Sequence, residues 1–168
     1  DLPILPKVPL LSRFNHATTY VPEFKLYLDS TNPWARFGQL PEGDLGAPVL
    51  LTRDAKLART PGSDEQPVKS ALSVDFVFDK AGNLHGQTER RLSEVEEIDL
   101  RGYFSQINRQ NRAQAEASIM SASGIDGSGE VAMNSDPLDL KKQFGYRFRF
   151  KADDYVDFGV VGGKIGRA

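Results

Sequence analysis

Residues 144–151, FGYRFRFK, alternate aromatic and basic side chains, and a strand is the regular element that sorts a period of two onto opposite faces. Phe144, Tyr146, Phe148 and Phe150 predict a core face. Arg147, Arg149 and Lys151 predict an outer one. Asp153, Asp154 and Asp157 follow the basic stripe at once, so it reads as a solvated surface rather than a track for an anionic polymer. Leu72, Val74, Phe76 and Phe78 alternate in the same way with Ser73, Asp75 and Val77. A turn at 79–83 and a return strand over 84–92 complete a hairpin. His85 falls among Gln87, Glu89 and Arg91 on a solvated face of that return strand, with no evident partner.

Helical periodicity follows. Ser93 with Glu96 makes a capping box, and Ile98, Leu100, Tyr103, Phe104 and Ile107 give the first helix its apolar side. A second helix is predicted over 109–122, with Ala113, Ala117, Ile119 and Met120 facing inward and Gly124 ending it. Residues 124–130 hold spaced glycines and Asp126 but too few carboxylates for a calcium loop. They read as a turn into a strand over 130–134. The glycine-rich tail at 159–166 precedes no helix, so it is a fraying strand end rather than a phosphate loop. The expected class is α+β and β-dominated, with antiparallel sheets and two helices in the C-terminal half.

The polar, turn-rich stretch 60–67 is the best linker, and it divides the chain into units at 1–62 and 63–168. Residues 1–13 carry Pro3, Pro6 and Pro9 among apolar side chains and predict an extended strap lying on its own domain. Short strands are expected over 48–53 and 55–60, around a turn at Arg53-Asp54. Trp34 and Phe37 are expected core anchors. The chain opens on Asp1, which reads as a processed or excised piece of something longer.

Composition removes several functions. A net charge of −2, from 21 basic and 23 acidic residues, argues against nucleic acid or an anionic membrane as a general electrostatic partner. No apolar run approaches the about 18 residues of a membrane-spanning helix. The absence of cysteine excludes disulfides, thiolate metal sites and a cysteine nucleophile on this chain. Two histidines far apart in sequence argue against zinc, and no metal or cofactor is expected.

One pair of residues points to chemistry. Residues 14–31, FNHATTYVPEFKLYLDST, read as a hairpin around Pro22-Glu23. With Val21 opposite Phe24, Tyr20 meets Lys25, Thr18 meets Tyr27 and His16 meets Asp29. Opposed side chains then sit about 5 Å apart at Cβ. An imidazole held by a carboxylate in this way has a fixed tautomer and a stabilised cation.

Asn15-His16-Ala17, Tyr20-Val21-Pro22, Leu26-Tyr27-Leu28-Asp29-Ser30-Thr31, the phrase Phe37-Gly38-Gln39-Leu40-Pro41, and Gly46 with Pro48-Val49-Leu50-Leu51 together resemble the end of the bacterial transglutaminase-like (papain-like) core. The likeness covers roughly residues 1–60. The remainder is similar only loosely to the β-rich domain of unknown function that follows such cores. The resemblance implies a Cys-His-Asp triad with His16 as base and Asp29 as orienter. Ser30 stands where the family usually has Pro, and the cysteine-bearing helix is missing. The chain is therefore expected to be inactive alone, with an upstream Cys-bearing segment as partner, a protein or peptide as substrate, and the periplasm or cell envelope as its place. The alternative is a non-catalytic binding or structural module. Thr18, Thr19, Ser12 and Ser30 are poor substitutes for the thiol, because none opens a helix.

Overall fold

The computed structural model describes residue 12 and residues 14–65, 69–107, 111–157 and 164–165. Apart from Ser12, the expected strap at 1–13 lies outside the described residues. So does the expected tail at 159–166, apart from Lys164 and Ile165. The fold is α+β and β-dominated, as the alternation predicts. In chain order the elements are β1 (Thr19–Val21), β2 (Leu26–Leu28), β3 (Pro48–Leu51), β4 (Lys56–Arg59), β5 (Ala71–Phe78), β6 (Leu84–Arg91), α1 (Glu94–Ser105), α2 (Arg112–Ser123), β7 (Ser128–Met133), β8 (Tyr146–Ala152), β9 (Val156–Asp157) and β10 (Lys164–Ile165). β5 to β8 form an antiparallel sheet in the order β5-β6-β8-β7, and β1-β2, β3-β4 and β9-β10 are small antiparallel pairs.

The alternation in β8 does what it predicts. Phe148, Phe150 and Ala152 are buried, and Arg147, Arg149 and Lys151 face water. They join Leu84, Leu92, Phe104, Met120, Val131 and Phe144 in one core, roofed by α1 and α2. Two glycines make room for it. A Cβ at Gly86 would lie 2.4 Å from Phe150 Cζ, and one at Gly129 would lie 2.2 Å from Phe148 Cζ. Each ring therefore lies across the backbone of the neighbouring strand, which any side chain there would block. The capping box forms as expected: Ser93 Oγ accepts from the Glu96 amide while the Glu96 carboxylate accepts from the Ser93 amide. α2 differs in its face: Ala115 and Met120 are buried, and Ala113 and Ala117 are exposed.

α1 also carries a buried ion pair. Glu97 and Arg101, one helical turn apart, are 2% and 0% exposed and lie 2.7 Å apart. The guanidinium donates to the carbonyls of Pro137 at 2.7 Å, Asp139 at 3.4 Å and, more closely still, Lys142. The carboxylate accepts from the Phe144 amide at 2.9 Å and from Gln39 Nε2 at 3.2 Å, and Arg36 Nη1 lies 3.5 Å away. Burial works to raise the Glu97 carboxyl, but these donors outweigh it and hold it below the usual range. Trp34 packs flat over Gly102, where a Cβ would come within 3.2 Å of its ring. The 34–39 segment thus rests on α1 through Trp34, Arg36 and Gln39.

Three expectations need correction. The first hairpin pairs Val21 with Leu26, Tyr20 with Tyr27 and Thr19 with Leu28, two residues off the expected register. A 3₁₀ turn at Pro22–Phe24, closed by Lys25 in the left-handed region at φ 51°, takes up the difference. Phe37 is no core anchor, being 83% exposed. Thr60, placed in the linker, is buried and hydrogen-bonded. The turn between β3 and β4 spans 52–55 and centres on Arg53-Asp54 as expected, with Ala55 at φ 50°.

Removing one partner of a buried ion pair strands the other, at about 3–5 kcal/mol. Arg101→Met is therefore expected to lower the free energy of urea-induced unfolding by that much. Phe37→Ala, at an exposed position, should change it by less than about 0.5 kcal/mol.

Candidate functional site

His16 lies in the extended segment that leads into β1. Asp29 is the first residue after β2. The hairpin brings them together despite the shifted register, because a slip of two residues preserves the face of every side chain. Asp29 is now diagonal to His16 rather than opposite it, and His16 Nε2 stands 3.3 Å from Asp29 Oδ1. The Asp29 side chain is 4% exposed and the His16 ring 39%. Thr31 holds Asp29 in place: its amide and its hydroxyl both donate to Oδ1, at 2.9 and 2.7 Å. This is an Asx turn, the local geometry that Asp followed by Ser-Thr favours.

A third member, Asp44, was not foreseen. It ends a 3₁₀ turn at Glu42–Asp44, and its Oδ2 lies 3.6 Å from the same His16 Nε2. That oxygen is buried and accepts no hydrogen bond. Thr60 fixes the loop carrying Asp44. Its hydroxyl donates to the Asp44 carbonyl at 2.5 Å and accepts from the Ala47 amide at 2.8 Å. The Gly46 amide donates to Pro61 O at 2.8 Å. The edge of the β3-β4 hairpin is therefore what sets Asp44 against the histidine. The one sequence signal for this was the turn phrase around Glu42-Gly43-Asp44, and nothing in it points at His16.

The two carboxyls diverge. Burial pushes Asp29 up, but the two Thr31 hydrogen bonds and the His16 ring outweigh it, so Asp29 sits below the ordinary carboxylate range. Burial raises Asp44 first, the charge of Asp29 raises it further, and the His16 ring only partly opposes them. Neighbouring carboxyls driven apart in this way can assign one as the standing charge and the other as the proton holder.

One ligand atom each from His16, Asp29 and Asp44 lies within 4.8 Å of the others. Two ligands about 2.1 Å from a tetrahedral zinc ion stand about 3.4 Å apart, so the separations of 3.3 and 3.6 Å suit a shared ion. The distance between the histidines in sequence had argued against zinc. The donor set assembled by the fold instead uses one histidine and two aspartates. His85 has a partner after all: its Nε2 lies 3.6 Å from Asp79 Oδ2, at an exposed turn. Trp34 lies on Gly102 of α1, and Phe37 points to solvent. No family model, curated protein or solved structure matches this chain.

Carboxyl ¹³C titration should place Asp29 below and Asp44 above an unperturbed aspartate, with Thr31→Val moving Asp29 upward. The stability consequences have opposite signs. Asp29 adds stability above the unfolded carboxyl pKa of about 3.9, and that stability is lost as pH falls through its lower folded value. Asp44 costs stability once pH rises past the same point. Asp44→Asn should therefore raise the melting temperature at pH 7 and leave it unchanged at pH 2.5.

Proposed function

We propose that the first unit supplies the base and the orienter of a Cys-His-Asp acyl-transfer centre, its thiol coming from an upstream segment of the parent protein. The observation that carries this reading is the engagement of a single ring nitrogen. Asp29 takes Nε2 of His16, and among the described residues Nδ1 makes no hydrogen bond. An Nε2–H donated to Asp29 leaves the Nδ1 lone pair free to take a proton from a thiol, and the ring returns that proton to the departing amine or alcohol. Asp29, ionised and buried, stabilises the imidazolium formed in between. The resemblance of roughly residues 1–60 to a transglutaminase-like core gives the reaction class: attack on an amide or ester carbonyl of a protein or peptide. The chain has no cysteine and is inactive by itself in this reading.

The second reading is a non-catalytic module. The buried Oδ2 of Asp44, which accepts no hydrogen bond and lies 3.6 Å from His16 Nε2, favours it, because a triad histidine needs no second carboxylate on the same nitrogen, whereas an ion held for structure does.

The two readings demand opposite tautomers, since a metal would take the Nε2 lone pair and leave the proton on Nδ1. The ring ¹⁵N spectrum of His16, at a pH where the imidazole is neutral, is expected to show the Nε2–H form. Asp29→Asn should turn it into a mixture, and equimolar Zn²⁺ should leave the wild-type signal unmoved. An Nδ1–H ring whose Nε2 signal shifts with Zn²⁺ supports the module instead. The gene upstream of the Asp1 codon should encode a cysteine at the head of an amphipathic helix pattern. In the parent, Asp29→Asn should then lower turnover about 10³–10⁴-fold. A reading frame that starts near Asp1 removes the acyl-transfer reading.

A further inference from the structure

β5 is an edge strand whose eight residues are all exposed. Its register ties Val74 to Thr88 and Phe148, and Phe76 to Gly86 and Phe150. Leu72, Val74, Phe76 and Phe78 therefore lie on the core face of the sheet. The helices that bury Phe148 and Phe150 do not cover them, and with Val77 they are 41–64% exposed. Edges of this kind are normally blunted by proline, a bulge, lysine or an inward-pointing charge. Residues 71–78, ALSVDFVF, contain none of these, and their single charge, Asp75, points to the outer face. Among the described residues nothing pairs with the free edge.

The strand is complementary to itself in one register. Opposed residues of an antiparallel pair share a face, so a two-fold axis normal to the sheet must pass through a residue facing its own copy. Centred on Val74, the inner face matches Val74 with Val74 and Leu72 with Phe76. The outer face matches Ser73 with Asp75, a hydroxyl to a carboxylate, and Ala71 with Val77. From Ala71 to Val77 each pair is apolar with apolar or polar with polar, and Phe78, at the strand end, falls opposite Ser70. Centring on Asp75 sets two carboxylates against each other, and centring on Phe76 sets Asp75 against Val77; both are unfavourable.

We propose that β5 is the interface of a symmetric dimer, two copies pairing edge to edge about Val74 into a continuous eight-stranded antiparallel sheet. The apolar stripe of each copy then continues into that of the other, and the uncovered core face becomes one shared surface across the two-fold.

Light scattering on the eluting full chain should give twice the 18.6 kDa monomer mass. Val74→Asp should weaken association about 100-fold or more while leaving the far-ultraviolet circular dichroism unchanged, since position 74 is exposed. The lack of native cysteine permits a positional test. Val74→Cys places two thiols on Cα atoms about 5 Å apart and should oxidise to a covalent dimer. Val77→Cys places them about 20 Å apart along the ladder and should not. A monomeric wild type overturns the proposal. Equal cross-linking at the two positions overturns it as well. So does a monomer whose β5 amides exchange slowly, because another part of the chain then covers the edge; a monomer that a β-strand peptide saturates makes that peptide the occupant instead.

Discussion

The Glu97–Arg101 pair is the point on which the packing of the rest converges. A guanidinium out of reach of water is tolerable only when its donors are taken up, and here one carboxylate and three backbone carbonyls take them. Those carbonyls belong to Pro137, Asp139 and Lys142, in the irregular segment between β7 and β8. The pair thereby gives a defined path to a stretch with no ladder of its own. The same carboxylate holds the Phe144 amide just before β8 and reaches Gln39, 58 residues back along the chain. One helical turn of α1 thus ties the four-stranded sheet to the loop that precedes the Asp44 turn. Such a knot specifies geometry more than it adds stability, because both charges were better solvated in the unfolded chain.

The site inherits its order from short-range devices rather than from a long ladder. β1 and β2 pair over three residues each, too little to hold a catalytic geometry alone. Asp29 is fixed by its own Asx turn through Thr31, and Asp44 by the Thr60 hydroxyl at the end of β4. His16 is the least constrained of the three, partly exposed and ahead of β1. It bridges two carboxylates that arrive from different turns. That arrangement suits a proton carrier, and it suits a metal ligand equally. The proton position on the ring separates the two.

The limits of period-two reasoning are visible in two strands with the same pattern. Phe148 and Phe76 each sit in an aromatic-alternating strand, and both lie on the same face of the same sheet. Phe148 is buried in the core cluster to which α1 contributes Phe104 and α2 contributes Met120. Phe76 is exposed because the helices stop short of β5. Alternation assigns a face, and only the footprint of the covering layer assigns burial. The same holds for Phe37, an aromatic on a loop that the fold turns outward. In the hairpin, the loop assumed for Pro22-Glu23 was two residues too short, because a left-handed Lys25 carries no mark in sequence. The His16–Asp29 contact survived because the error was even.

The sequence by itself determined the strand and helix types, the capping box at Ser93, the antiparallel character of the sheet and the candidate pairing of His16 with Asp29. These depend on side-chain period, local hydrogen bonding and short chain separations, all of which are written in consecutive residues. Tertiary structure alone decided the rest. It brought Asp44 to the histidine across two hairpins, buried Thr60 beneath that turn, and left the apolar face of β5 uncovered by the described residues. Each of these depends on where separate elements come to rest against one another, and no local pattern encodes that.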